Sequence, residues 1–223
     1  MYNISRLQLI TQDDVANYSQ AKLAEEACKG GIDWVQLRVK GKSAEEWKAI
    51  AIDVKKICDS YNARLIINDN VKLVKEIGAA GVHLGREDMP VKEARKILGS
   101  DYIIGGTAND LADIMDLVDA RVDYIGLGPF WFTNTKEKLS PVLGLKGYKK
   151  IVAACIKHRI EVPIIAIGGI KLNDVKDIMN LGIYGVAIAS AINSAFDKEG
   201  KTREFINEVN KVAEDYGAVN NSR

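Results

Sequence analysis

Eight short runs of β-type residues recur along the 223-residue chain, and each is parted from the next by a longer segment whose apolar residues fall three and four apart. The predicted strands are Gln8–Thr11, Trp34–Arg38, Arg64–Ile67, Gly81–Leu84, Ile103–Gly105, Tyr124–Leu127, Pro163–Ile167 and Gly185–Ile188. Between the second and third, Trp47, Ile50, Ala51, Val54 and Ile57 line one face of an amphipathic helix. Apolar strands with a helix at each crossing predict a parallel sheet covered by helices. Eight such units predict closure into an α/β, single-domain (β/α)8 TIM barrel. An open doubly wound sheet is the other arrangement of this alternation, but it carries a glycine-rich dinucleotide turn after its first strand. Thr11-Gln12-Asp13-Asp14 is no such turn.

No Pro-rich linker, repeat or low-complexity stretch divides the chain, so one catalytic barrel domain is expected over residues 1–218, with 219–223 as a frayed C-terminal tail. Lys and Arg total 31 against 30 Asp and Glu, a net charge of +1. That removes the basic excess that nucleic acid or a membrane surface demands, so charge used in function must be local. The longest apolar stretches fall far short of the ~20 residues of a spanning helix. Residues Met1–Arg6 lack the pattern of an export signal, and a cytoplasmic protein is expected. Cys28, Cys58 and Cys155 are odd in number, far apart and set in helical segments, which predicts core residues rather than disulfides or a zinc site. His83, in a strand, and His158, in a cationic run at a helix end, have no triad partners nearby in sequence. The one long connection, from Pro129 to about Gly147, has a length at which loops are usually functional.

In a parallel barrel the loops that follow the strands gather at one mouth, so residues just past each strand share a site. Strand alternation puts Gln36, Arg38 and Lys40 on a common face, and two cations converging there imply an anion. Asp69 and Asp88 follow adjacent strands, whose axes lie only ~5 Å apart. Both carboxylates can reach one hard cation, and Mg²⁺ is the natural choice because it takes one or two carboxylates together with substrate phosphates. The alternative for each Asp is a helix N-cap, since a helical run follows both. After strands seven and eight, Gly168-Gly169 and Ala189-Ser190 are small enough to let backbone N–H groups approach a phosphate. The mouth therefore offers a monophosphate cradle on one side and a metal-plus-cation polyphosphate site on the other.

These residues resemble the thiamine phosphate synthase family over nearly the whole chain. The resemblance is carried by Gln36-Leu37-Arg38-Val39-Lys40, Ile67-Asn68-Asp69, Gly81-Val82-His83-Leu84-Gly85-Arg86-Glu87-Asp88, Gly126-Leu127-Gly128-Pro129 through Thr133-Asn134-Thr135-Lys136, Pro141-Val142-Leu143-Gly144-Leu145 and Ala166-Ile167-Gly168-Gly169-Ile170. Six modest motifs in this order on successive barrel loops are specific together. The family joins a hydroxymethylpyrimidine pyrophosphate to a thiazole phosphate and releases pyrophosphate, with Mg²⁺ required. The resemblance implies that Asp69 and Asp88 hold Mg²⁺, and that Arg38, Lys40, Asn68 and Lys136 contact the pyrophosphate. It also implies that Gln36 and Thr107 lie near the pyrimidine, and that Thr133, Thr135, Gly169 and Ser190 hold the thiazole phosphate. Lys136, Arg38, Lys40 and Thr107 are the expected catalytic set, and His83, inside its Gly-Val-His-Leu-Gly motif, is expected to position rather than to transfer protons. A homo-oligomer is compatible with the sequence.

There are departures. Val39 stands where the family often has an acidic residue, Thr107-Ala108-Asn109 where it more often has Ser-x-His, and Trp131-Phe132 where Tyr-Pro is common. A thiazole tautomerase of the same fold is the nearest rival, but it is expected to use a histidine where Asn109 stands, and an amide does not shuttle protons near neutral pH. A sugar-phosphate isomerase or lyase on this barrel would not need the Asp pair. A noncatalytic phosphate-ligand sensor would not need the whole constellation.

Overall fold

Each predicted run forms a strand, and a helix follows each strand. In order the elements are β1 (Leu7–Ile10), α1 (Gln20–Lys29), β2 (Trp34–Leu37), α2 (Ala44–Ser60), β3 (Arg64–Asn68), α3 (Val71–Ile77), β4 (Gly81–Leu84), α4 (Val91–Leu98) and β5 (Ile103–Ala108). There follow α5 (Leu111–Asp119), β6 (Tyr124–Leu127), α6 (Gly144–Lys157), β7 (Ile164–Ile167), a 3₁₀ turn, α7 (Val175–Asn180), β8 (Gly185–Ile188), α8 (Ser190–Asn193) and α9 (Lys198–Asn220). The computed structural model describes residues 4–13, 15–132 and 141–220, with side chains as far as 215. Strands pair in parallel in sequence order, and β1 pairs with β8 through Leu7↔Val186 and Leu9↔Ile188, closing a (β/α)8 TIM barrel. The backbone of α9 continues through Asn220, two residues into the tail expected to fray.

Local signals set the helix ends. Ser43 and Glu46 form a reciprocal capping box at the start of α2, and Gly78 closes α3 in the left-handed conformation. Several strand ends differ by one residue from the expected ones, and two boundaries differ by more. The strand predicted to end at Gly105 runs on to Ala108, because Gly105 and Gly106 pair with His83 and Leu84 on one side and with Tyr124 and Ile125 on the other. Pairing on both edges overrides the weak strand preference of glycine, and Thr107 consequently lies within the strand rather than after it. The long connection is also shorter than expected, since α6 begins at Gly144.

Alternation along the strands separates two apolar bodies. Residues such as Leu9, Val35, Leu65, Val82 and Ile125 pack outward against the helices, while Ile10, Trp34, Ile66, Ile103, Tyr124, Ile165 and Ala187 fill the barrel from within. Each large side chain buried in this way contributes ~1.5–3 kcal/mol, so the inner cluster is a packed floor, not a passage. The cysteines are free and buried, as expected. Among the described residues no helix is long and apolar enough to cross a membrane.

Candidate active site

The buried polar residues Gln36, Asn68 and His83 sit on the inner faces of β2, β3 and β4, among the residues that line the barrel interior. Gln36 is 2% exposed, and its Nε2 closes no hydrogen bond among the described residues. Beyond it Arg38 is half-buried and Lys40 exposed. Their backbone is tied to the β1–α1 loop: Arg38 N donates to Thr11 Oγ1 (3.2 Å), Gln20 Nε2 donates to Arg38 O (3.0 Å) and Asp13 Oδ1 (2.8 Å), and Lys40 N donates to Asp13 Oδ2 (2.9 Å). Thr11, Asp13 and Gln20 are thus supports that sequence reasoning misses. The β2-loop groups that they hold lie eighteen or more residues away, so no local pattern marks them.

The two carboxylates meet at the mouth. Asp69 adopts a left-handed φ of 64° just past β3, held by its N–H donating to His83 O at 2.9 Å, and its Oδ2 accepts from Lys40 Nζ at 2.6 Å. Asp88 Oδ2 accepts from Gly85 N at 2.7 Å. Burial, and then the adjoining Asp69 carboxylate, push the Asp88 carboxyl above the usual carboxylate range. Neither is a helix cap: Asn70 caps α3 by accepting from Leu73 N at 3.1 Å, and Pro90 occupies the cap position of α4. Two converging carboxylates, hard oxygen donors only, fit a small divalent cation. Among the described residues no group of three or more His, Cys, Asp or Glu gathers for a metal, so this site offers two protein carboxylates. Waters and substrate oxygens would complete the shell around this pair.

On the other side, Thr107 Oγ1 lies 2.9 Å from His83 Nε2, and His83 Nδ1 lies 3.0 Å from the Tyr124 hydroxyl. Asn109 Nδ2 donates to Gly128 O, and its N–H donates to Asp113 Oδ2 at 2.8 Å. The amide thus braces the β5 loop against the β6 loop. The start of the long loop is pinned onto the β7 turn, Phe130 N donating to Ile167 O and Trp131 N to Gly168 O, both at 2.9 Å. Its return is pinned by Leu143 N on Pro129 O at 2.9 Å and Gly144 N on Phe130 O at 3.0 Å. Backbone bonds therefore fix residues 130 and 131, just ahead of Phe132, the position at which the Tyr-Pro pattern would put a proline. Gly168 and Gly169 have φ of 102° and 68°, and a Cβ on Gly169 would lie 2.9 Å from Phe132 O and Trp131 Cβ. Glycine is required there by packing against the loop, whatever it also does for a ligand. Ser190 is exposed at the start of α8. Thr133, Thr135 and Lys136 lie outside the described residues.

The model of the thiamine monophosphate synthase family matches residues 7–192. The chain belongs to that family. It is 47% identical over 199 residues to a thiamine-phosphate synthase of Flavobacterium johnsoniae, covering 89% of this chain and 92% of that one. A thiamine-phosphate synthase of Bacteroides fragilis is 46% identical over 201 residues, 90% of this chain and 98% of its own. Among solved structures, thiamine phosphate pyrophosphorylase from Pyrococcus furiosus superimposes with a TM-score of 0.82 at 29% identity, over 93% of this chain and 96% of that chain. As a member of the thiamine monophosphate synthase family, the chain is an enzyme, a transferase of thiamine biosynthesis. It shows no histidine at the Asn109 position that the tautomerase alternative needs.

Proposed function

We propose that the chain is a thiamine-phosphate synthase that couples hydroxymethylpyrimidine pyrophosphate to a thiazole phosphate and releases pyrophosphate. The observation that carries this reading is the mutual approach of Asp69 and Asp88 beside Lys40, a cation-and-metal pocket suited to a polyphosphate leaving group. Bound Mg²⁺ would neutralise charge on the departing pyrophosphate. Arg38 and Lys40 would add fixed positive charge to the same oxygens, with Asn68 as a hydrogen-bonding partner. Lys40 would exchange Asp69 for the pyrophosphate, an easy exchange because an exposed ion pair is worth only ~0–1 kcal/mol. Lys136, from the long loop, would complete the cluster as the leaving charge develops.

Loss of pyrophosphate leaves positive character on the pyrimidine methylene, which the aminopyrimidine ring itself delocalises, so the transition state is dissociative and carbocation-like. Gln36 and Thr107 would orient that ring. The thiazole nitrogen is already a nucleophile and needs no activating base, in keeping with a site that shows no Ser-His or Cys-His pair among the described residues. Thr133, Thr135, Gly169 and Ser190 would hold the thiazole phosphate on the β7–β8 side. The test is incubation of the purified protein with both substrates and Mg²⁺. Thiamine phosphate and pyrophosphate should appear in equal amounts, and omission of the thiazole should abolish the coupled product. Absence of coupled product would overturn the proposal.

A further inference from the structure

Tyr124 is the largest polar group in the barrel floor, fully buried and stacked edge-on against Trp34 with ring centroids 4.8 Å apart. Its hydroxyl has three polar neighbours. Gln8 Nε2 donates to it at 3.4 Å, the Gln36 amide lies beside it as a second donor group without closing a hydrogen bond, and His83 Nδ1 lies at 3.0 Å. Burial pushes the phenol well above its ordinary range, so its proton stays on the oxygen. A buried O–H must have an acceptor, and of the two atoms within hydrogen-bond distance, Gln8 Nε2 and His83 Nδ1, only the imidazole nitrogen can accept. Nδ1 is then the unprotonated nitrogen, Nε2 carries the hydrogen, and Nε2–H donates to Thr107 Oγ1 at 2.9 Å. With one lone pair taken by that donor, Thr107 has its own hydroxyl hydrogen to give at the mouth.

We propose that Tyr124 is a positioning residue. Through His83 it fixes the polarity of a relay, Tyr124 O–H to Nδ1 and Nε2–H to Oγ1, that makes Thr107 a hydrogen-bond donor to the substrate. The inference rests on the reading of Thr107 as a substrate contact. It gives the buried tyrosine hydroxyl and imidazole a task, and accounts for the glycine at Gly126, which faces the imidazole: a Cβ there would stand 3.1 Å from His83 Cε1.

The experiment reads the tautomer directly. The chain has 2 histidines, and His158 is exposed at the end of α6, so a two-bond ¹H–¹⁵N spectrum of protein labelled in its imidazoles separates them. Wild-type His83 should show a protonated Nε2 and an unprotonated Nδ1 without any substrate present. Tyr124→Phe, which keeps the ring against Trp34, should populate the Nδ1–H form, whereas Thr107→Val should leave Nε2–H in place. In the coupling assay Tyr124→Phe should lower kcat on the order of tenfold, the usual scale for one buried hydrogen bond. It should cost nothing further in a Thr107→Val background, and Thr107→Ser should retain activity. A wild-type Nδ1–H tautomer, a His83 spectrum unmoved by Tyr124→Phe, or full additivity of the two substitutions would overturn the relay. An Nε2–H tautomer together with a fully active Thr107→Val would instead uphold the relay's polarity and overturn the assignment of Thr107 to the substrate.

Discussion

Asp69 and Asn70 sit side by side past the end of β3 and divide two tasks between them. Asn70 caps α3, while Asp69 turns back toward Lys40 and Asp88. Because the left-handed φ of 64° at Asp69 suits Asn better than Ala, Asp69→Asn is the clean removal of charge. It should cut coupling activity on the order of 10²-fold, as removal of a group that organises a charged transition state does, and leave the urea midpoint in place. Asn70→Ala should instead lower stability by ~1 kcal/mol, the usual cost of a lost cap. Equal loss of stability in both variants would return Asp69 to a structural role. The loop lysine is tested by comparison with its neighbour: Lys136→Ala should lower kcat on the order of 10²-fold with a smaller change in KM, while Lys138→Ala should not. Steady-state kinetics on both decide it, and small equal effects would remove Lys136 from the reaction. The charged residues of the site are legible in the sequence because a parallel barrel brings every strand end to one mouth. Tyr124 is not legible, since in sequence it is one more apolar strand residue and its hydroxyl partner lies 41 residues away.

At the scale of elements, the strands are legible because both faces are buried, which writes them as short apolar runs. Their ends are less so, as β5 shows: two glycines that suggest a stop are carried through by pairing on both edges. The same limit applies to Gly169, where the sequence suggests a phosphate cradle and the structure adds a packing demand from the β6 loop. A left-handed φ and a Cβ 2.9 Å from Phe132 O predict that Gly169→Ala destabilises the protein by about 1–3 kcal/mol. Its kinetic effect would therefore mix folding with binding. Ser190→Asp avoids that confusion, being exposed at the start of α8. Like-charge repulsion should raise KM for the thiazole phosphate by roughly tenfold, with thermal stability unchanged. Unaltered KM would place the phosphate elsewhere.

The molecule as a whole divides the barrel interior by depth. Side chains from seven strands fill the floor, a sparse polar set stands above it, and the charged groups of the mouth lie on the loops beyond. On the proposed reading, a chain with a net charge of only +1 meets a polyanion by placing Arg38 and Lys40 together at one end. That placement makes the central claim, that the Asp pair and its cations form a metal-dependent pyrophosphate site, testable in one titration. Purified protein stripped with chelator and given both substrates should form no coupled product until Mg²⁺ is added. The product rate should then rise to saturation, and Asp88→Asn, which keeps an oxygen for the Gly85 N–H, should need far more Mg²⁺ or fail to respond. Full-rate coupling in excess chelator, or an Asp88→Asn titration that overlays the wild type, would contradict the account.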